Sequence, residues 1–203
     1  MKNKKNDTTE SLILEAAKSI FQTKGMDGAR MQEIADKAGI NKAMLHYYYR
    51  NKQLLFEAVF KNAFSLLAPQ LNTILNDDSS IEEKIRNFSS NYITFITEHP
   101  YLPNFVIQEL NKNPAFILKM KENKAFPNIE KFKKQVDFEV QNGSIKQIDA
   151  TQLFINILSL NVFPFIAKPL IMGLIEVDDV AFKAIIEERK TAVANFIINS
   201  IKL

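Results

Sequence analysis

Apolar residues return every three or four positions along most of the chain and almost nowhere alternate, so the pattern predicts helices and leaves little room for strands. Leu12, Ile13, Ala16, Ala17, Ile20 and Phe21 form one stripe, with a capping start at Asp7-Thr8-Thr9-Glu10 and a stop at Gly25. A short helix over about 31–38 ends at Gly39, and Asn41, a good N-cap, opens another. A longer helix starts near Lys52 and runs towards Asn76, bent or interrupted at Pro69. Ser80-Ile81-Glu82-Glu83 is a capping box that opens a helix reaching Glu98. Prolines at 100, 103, 114 and 127 then cut 99–127 into short helices. A helix from about 127 to 142 stops at Gly143; the next opens at Asp149–Gln152 and is distorted by Pro164 and Pro169; the last follows Asp178. The reading is all-α, with a small N-terminal domain at 1–55 and a larger helical domain at 56–203, divided within the long helix.

Composition narrows the chemistry. Of the 203 residues, 46% are apolar and 24% charged, as in a folded soluble protein with a sizeable core. The absence of cysteine excludes disulfides, thiolate metal sites and cysteine nucleophiles. Residues 153–175 are apolar enough to suggest a membrane span, but Asn156, Asn161, Lys168 and two prolines favour a buried, broken helix. The basic start MKNKKNDTTE lacks the apolar segment of a signal peptide, so a cytoplasmic protein is expected. Net charge is +3 but unevenly placed: residues 1–52 carry +4 and the other 151 carry −1. The excess sits where the most unusual segment sits, NKAMLHYYYRNK at 41–52.

Within residues 31–60, Ile34, Ala35 and Ala38 give one helix a small apolar face, Gly39 permits a sharp turn, and Ile40 plugs the corner. Leu45 and Tyr49 then form an apolar pair one turn apart. This is the pattern of a helix-turn-helix, whose second helix enters the major groove of DNA. At about 100° per residue, Leu45 and Tyr49 face the core and Ala43 and Tyr47 lie nearly opposite. Lys42 and His46 flank one edge, and Met44 and Tyr48 the other. Small Ala43 allows close approach, Lys42, His46 and Tyr47 are set to meet base edges or phosphates, and Tyr48, Lys52 and Arg50 to grip the backbone. Arg30, Gln32, Asn41 and Met44 complete the expected DNA-contacting set.

These residues resemble the tetracycline-repressor-like (TetR/AcrR) family of bacterial transcriptional regulators. The resemblance rests on Ile34-Ala35, Ala38-Gly39-Ile40-Asn41-Lys42, Leu45-His46-Tyr47-Tyr48-Tyr49, Asn51-Lys52 and Leu54-Leu55, preceded by the Ala16…Phe21…Gly25 helix. It is dense over about 10–60 and sparse beyond. Two positions depart from the family's pattern. Arg30 stands where a Thr or Ser usually caps the second helix, a loss of about 0.5–2 kcal/mol, though the arginine can instead reach a phosphate. Ala43 stands where Gly is common.

The resemblance implies an N-terminal three-helix DNA-binding domain, a C-terminal ligand-binding and dimerisation domain, and a homodimer on a roughly palindromic operator. It places the dimer seam on the last two long helices, 150–167 and 179–201, with Val180, Ile185, Val193, Phe196 and Ile197 as seam residues. It also implies repression relieved by a small, largely apolar molecule that moves the helix starting near Lys52. For that molecule's pocket, Phe88, Tyr92, Phe95 and His99 recur at helical spacing, with Phe105, Glu109, Phe154, Leu158 and Asn161 on neighbouring helices. Such a stripe reads first as core; the polar groups among the rings are what an apolar ligand site would need.

No catalytic constellation is visible: two distant histidines, no cysteine and no phosphate-binding glycine loop. No cofactor and no metal site are expected; His99, just before Pro100, reads as a helix-end residue. The Lys2–Lys5 cluster reads either as a solvated tail or as an arm on the DNA backbone. The competing function is a helical small-molecule carrier or sensor whose DNA head has degenerated.

Overall fold

The computed structural model describes residues 2–121 and 126–203, with side chains at all of these except 2–7, 73, 74, 116, 119 and 120. The basic Lys2–Lys5 side chains therefore lie outside the described residues. Every regular element described is a helix. The chain divides into two compact units, Met1–Ser65 and Leu66–Leu203.

The first unit holds α1 (Lys2–Gly28), α2 (Met31–Lys37), α3 (Lys42–Tyr48) and the first half of α4 (Lys52–Asn76). Helix α1 begins at Lys2, so Asp7 to Glu10 lie inside it and do not open it as expected. Its helical geometry breaks at Gly25, whose φ of 67° is open to a residue without a Cβ. Ile13, Ala16, Ala17 and Phe21 from α1, Ile34 and Ala35 from α2, and Leu45 from α3 are buried with Leu55, Phe56 and Phe60 from α4. Phe21 meets Phe56 edge to face at 5.0 Å.

The second unit holds the rest of α4, then α5 (Ile81–Glu98), α6 (Leu102–Lys112), α7 (Ala115–Lys121), α8 (Glu130–Gln141), α9 (Ala150–Ile166), α10 (Lys168–Ile175) and α11 (Asp179–Ile201). Helix α4 continues through Pro69 without interruption. Helix α5 is central, packed on both α9 and α11. Its capping box forms as expected: the Ser80 hydroxyl accepts from the Glu83 N–H, and the Glu83 carboxylate accepts from the Ser80 N–H. Helix α8 fastens the corner between α4 and α5. Lys131 donates to the Asn76 carbonyl and to Asp78, and Gln135 donates to the Ser79 carbonyl. Inside that corner the ammonium of Lys84, wholly buried, donates to the Asp77 carbonyl at 2.7 Å and its carboxylate at 2.6 Å.

The expected distortion of 150–175 takes a definite form. Helix α9 ends at Ile166, and α10 leaves it at 75°. The expectation of burial is half corrected. Helix α9 buries Leu153, Ile157, Asn161 and Val162, but α10 buries none of its residues. Among the described residues no single helix is long and apolar enough to cross a membrane, although α9 and α10 together pass on length and composition. Pro164 lies within α9 and has no N–H for the carbonyl of Leu160, one turn earlier. Arg189 of α11 supplies the missing donors, its Nη2 at 2.8 Å and Nε at 3.2 Å from that oxygen. Arg189→Ala should therefore cost about 1–3 kcal/mol by stranding a part-buried carbonyl. Arg189→Lys should recover only part of it, because one ammonium replaces a two-pronged fork. Urea denaturation of the two variants checks both expectations.

Candidate nucleic-acid interface

Helix α3 owes its start to Asn41, whose Oδ1 accepts from the Met44 N–H at 2.8 Å. Its entry is set by Gly39 at φ 69°, followed by the Ile40 N–H bonding back to the Ala35 carbonyl. Seven residues long, the helix buries only Leu45. Tyr49 is not part of the helix but its extended C-cap, and it is nonetheless buried, its N–H bonding to the Leu45 carbonyl at 2.8 Å. The Tyr49 hydroxyl donates to Glu10 of α1 at 2.8 Å, and burial together with that carboxylate pushes the phenol well above its ordinary range. On the opposite side Ala43 is exposed and Tyr47 is 81% exposed. The phase predicted for this helix is the phase observed.

The remaining residues of the expected set divide by what already holds them. Lys42, Met44 and His46 are exposed, and Tyr48 is half-buried with its ring edge-on to Tyr47 at 5.6 Å. Nδ1 of His46 lies 3.1 Å from the Arg50 carbonyl. Asn41 is exposed, but its side-chain oxygen is engaged as the cap. Arg30 stands at the N-cap of α2, exposed and without a side-chain cap bond, as its identity predicted. Glu33 in the first turn of α2 bonds to Lys24 at 2.9 Å, which holds its carboxyl below the ordinary value. Gln32 is exposed and donates to Asp36 at 2.7 Å. Lys52, expected to grip the DNA backbone, donates within the chain to the backbone carbonyls of Ala29 and Asp27 at 3.1 and 3.2 Å. It thereby ties the first turn of α4 to the α1–α2 junction. Those two carbonyls come from a distant turn of chain, so no local signal in the sequence announces the contact.

The second unit holds a narrow apolar crevice lined by Leu71, Leu75, Phe88, Phe132, Phe154, Ile157 and Leu158, with about 10 Å³ of free space, room for roughly one water. Phe88, Phe154 and Leu158 are brought together as the sequence suggested. Tyr92 is buried and stacks on Phe88 at 4.8 Å. Phe95 and His99 lie near the C-terminal end of α5, with rings 4.8 Å apart, and His99 is that helix's C-cap. Phe105 and Glu109 are buried on α6, the Glu109 carboxylate 3.7 Å from Lys112. Asn161 is buried, donating from Nδ2 to the Ile157 carbonyl, while its Oδ1 has no partner among the described residues. Leu71, Leu75, Phe132 and Ile157 were not singled out in the sequence; Phe132 shares with Val136 the helical spacing that marks a buried face. No group of three or more potential metal ligands occurs among the described residues.

The seam residues also divide. Val180, Ile185 and Phe196 are exposed, whereas Val193 and Ile197 are buried within the protomer. Beside Phe196 and Ile197 a groove of about 290 Å³ runs along Leu153, Asn156, Ser159, Leu160 and Ser200.

Comparison with known proteins agrees with this geometry. Residues 13–59 match the family model described as bacterial regulatory proteins, tetR family. The probable HTH-type transcriptional regulator YttP of Bacillus subtilis is 27% identical over 112 residues, 54% of each chain. The chain thus spans about half the length of the curated relatives it matches. Among solved structures, a HlyIIR mutant is 26% identical at a TM-score of 0.62, covering 97% of this chain and 98% of its own. AibR, solved with isovaleryl coenzyme A and operator DNA, is 23% identical at a TM-score of 0.60, covering 77% of this chain and 85% of its own. A buried Leu45 beneath an exposed Ala43 and Tyr47 is thus set in a helical head whose residues 13–59 match the tetR family of bacterial regulatory proteins.

Proposed function

We propose that the protein is a ligand-responsive transcriptional regulator that binds duplex DNA through α3 and acts as a repressor released by a small, largely apolar molecule. The observation that carries the reading is the orientation of α3: its one buried side chain is Leu45, and the opposite side offers Ala43 and Tyr47 to a groove, with Lys42 and His46 alongside. The net charge of +4 on residues 1–52 favours a polyanionic partner. Domain limits of 1–55 for DNA binding and 56–203 for effector binding and dimerisation belong to the same reading.

Two copies of the chain would present two heads to a palindromic site. The exposed Val180, Ile185 and Phe196 of α11 and Phe163 of α9 are the apolar surface such a pairing would cover. The effector would enter the apolar crevice of the second unit, which its lining suits to hydrocarbon and aromatic groups. Since the crevice has room for only about one water, entry must widen it, and Leu71 and Leu75 of α4 form one of its walls. Helix α4 begins at Lys52 in the first unit, so its displacement is the means by which the ligand would be felt at the DNA. A hundredfold preference of the ligand for the released state amounts to about 2.7 kcal/mol. AibR, seen with both isovaleryl coenzyme A and operator DNA, supports a pairing of effector and operator on one such chain. Action on a bacterial operator also places the protein in the cytoplasm on this reading.

The reading is tested by gel shift with DNA flanking the protein's own gene. Tyr47→Ala should weaken the shift by about tenfold or more while leaving thermal unfolding unchanged, since the ring is exposed. A folded Tyr47→Ala protein that shifts the same DNA equally well removes α3 from the groove. Absence of any shift by the parent protein at low salt leaves the carrier function in its place.

A further inference from the structure

We propose that His46 reads an exocyclic amino group, that of cytosine or adenine, on a base edge in the major groove. This inference rests on α3 being the groove-reading helix and adds to it the polarity of one contact. Nδ1 of His46 lies 3.1 Å from the carbonyl oxygen of Arg50. A carbonyl oxygen only accepts, so this approach favours the tautomer in which Nδ1 carries the proton and donates it. In the neutral imidazole the second nitrogen, Nε2, is then left with a lone pair and no proton. The side chain is otherwise exposed, on the edge of α3 next to the face of Ala43 and Tyr47. The fold has thus turned a group with two possible tautomers into an outward acceptor.

The groove holds few groups that such an acceptor can meet. Guanine offers only N7 and O6, both acceptors, and thymine an acceptor and a methyl group. Cytosine N4 and adenine N6 carry the only donors. Phosphate oxygens accept as well, so Nε2 gains nothing from the backbone, which falls instead to the exposed ammonium of Lys42 one turn earlier. The sequence alone left His46 open to base edges or phosphates. The bond to Arg50 closes the second choice for the neutral ring.

The test is selection of bound duplexes from a random pool by the full-length protein. Binding isotherms with all four base pairs at each selected position then follow. One position of the selected half-site should require cytosine or adenine on the strand facing His46. His46→Ala should flatten that preference by about tenfold or more and leave the other positions intact. His46→Glu, an acceptor without a proton, should keep cytosine there. Imidazole ¹⁵N spectra of the free protein should show Nδ1 protonated and Nε2 bare. The proposal is overturned if His46→Ala weakens all sequences equally and lowers the salt dependence, the mark of a phosphate contact. Guanine or thymine at the position lost in His46→Ala overturns it too. A parent protein that retains no duplex from the pool sinks the groove reading itself, whatever the spectra show of the tautomer.

Discussion

Tyr49→Ala is expected to destabilise the N-terminal helical head by about 3 kcal/mol. The ring is buried at the C-cap of α3, and its hydroxyl reaches across to Glu10 on α1. Truncation removes the packing and the 2.8 Å bond, and returns the exposed Glu10 carboxylate to water. Tyr49→Phe separates the two contributions, since it keeps the ring and loses only the bond, worth about 1 kcal/mol. Hydrogen exchange across residues 13–59 is the suitable readout, because global melting would mix the two units. Exchange unchanged in Tyr49→Ala would show that α3 is held by Leu45 alone.

The second large effect belongs to the corner between α4 and α5. Asp77→Ala leaves the wholly buried Lys84 ammonium beside a backbone carbonyl and without its carboxylate, at an expected cost of about 3 kcal/mol. The pair also has a pH signature. Burial alone would raise the Asp77 carboxyl, but Lys84 and Ser79 outweigh it and hold the group below its ordinary value of 3.8. A depressed folded pKa means the contribution is fully present above that ordinary value and is lost as pH falls through the lower, folded one. Acid titration followed by circular dichroism should therefore show the parent losing stability below about pH 4 more steeply than Asp77→Ala. Equal slopes would mean that the carboxylate adds nothing to the corner.

What could be foreseen from the sequence was what neighbours along the chain decide. Asn41, Ser80, Asp149 and Asp178 each accept from a backbone N–H three residues on, a bond that needs no other part of the fold. Gly39 and Gly143 adopt positive φ where helices end, again a local requirement. The phase of α3 was legible because seven residues of a regular helix carry their own geometry. Contacts across the fold were not. Lys52 is a cation at a helix start by sequence, and only the folded head shows the carbonyls of Asp27 and Ala29 beside it. The apolar crevice draws on α4, α5, α8 and α9, so Leu71, Leu75 and Phe132 had no mark to set them apart from other core residues. The prolines foretold a distortion near 164–169. The angle of α10, and the fact that it buries nothing, depend on packing that periodicity does not encode.

The bond from Arg189 to the Leu160 carbonyl bears on how the second unit can move. Only one oxygen along α9 has lost its natural donor to Pro164, and α11 is keyed to that single notch. Slippage of one helix past the other by a turn would leave both the guanidinium and the oxygen unmatched. Any rearrangement on ligand entry must then spare this pair and travel through tilting elsewhere. Helices α9 and α11 then act together as a fixed frame, and the mobile part is whatever leans against them.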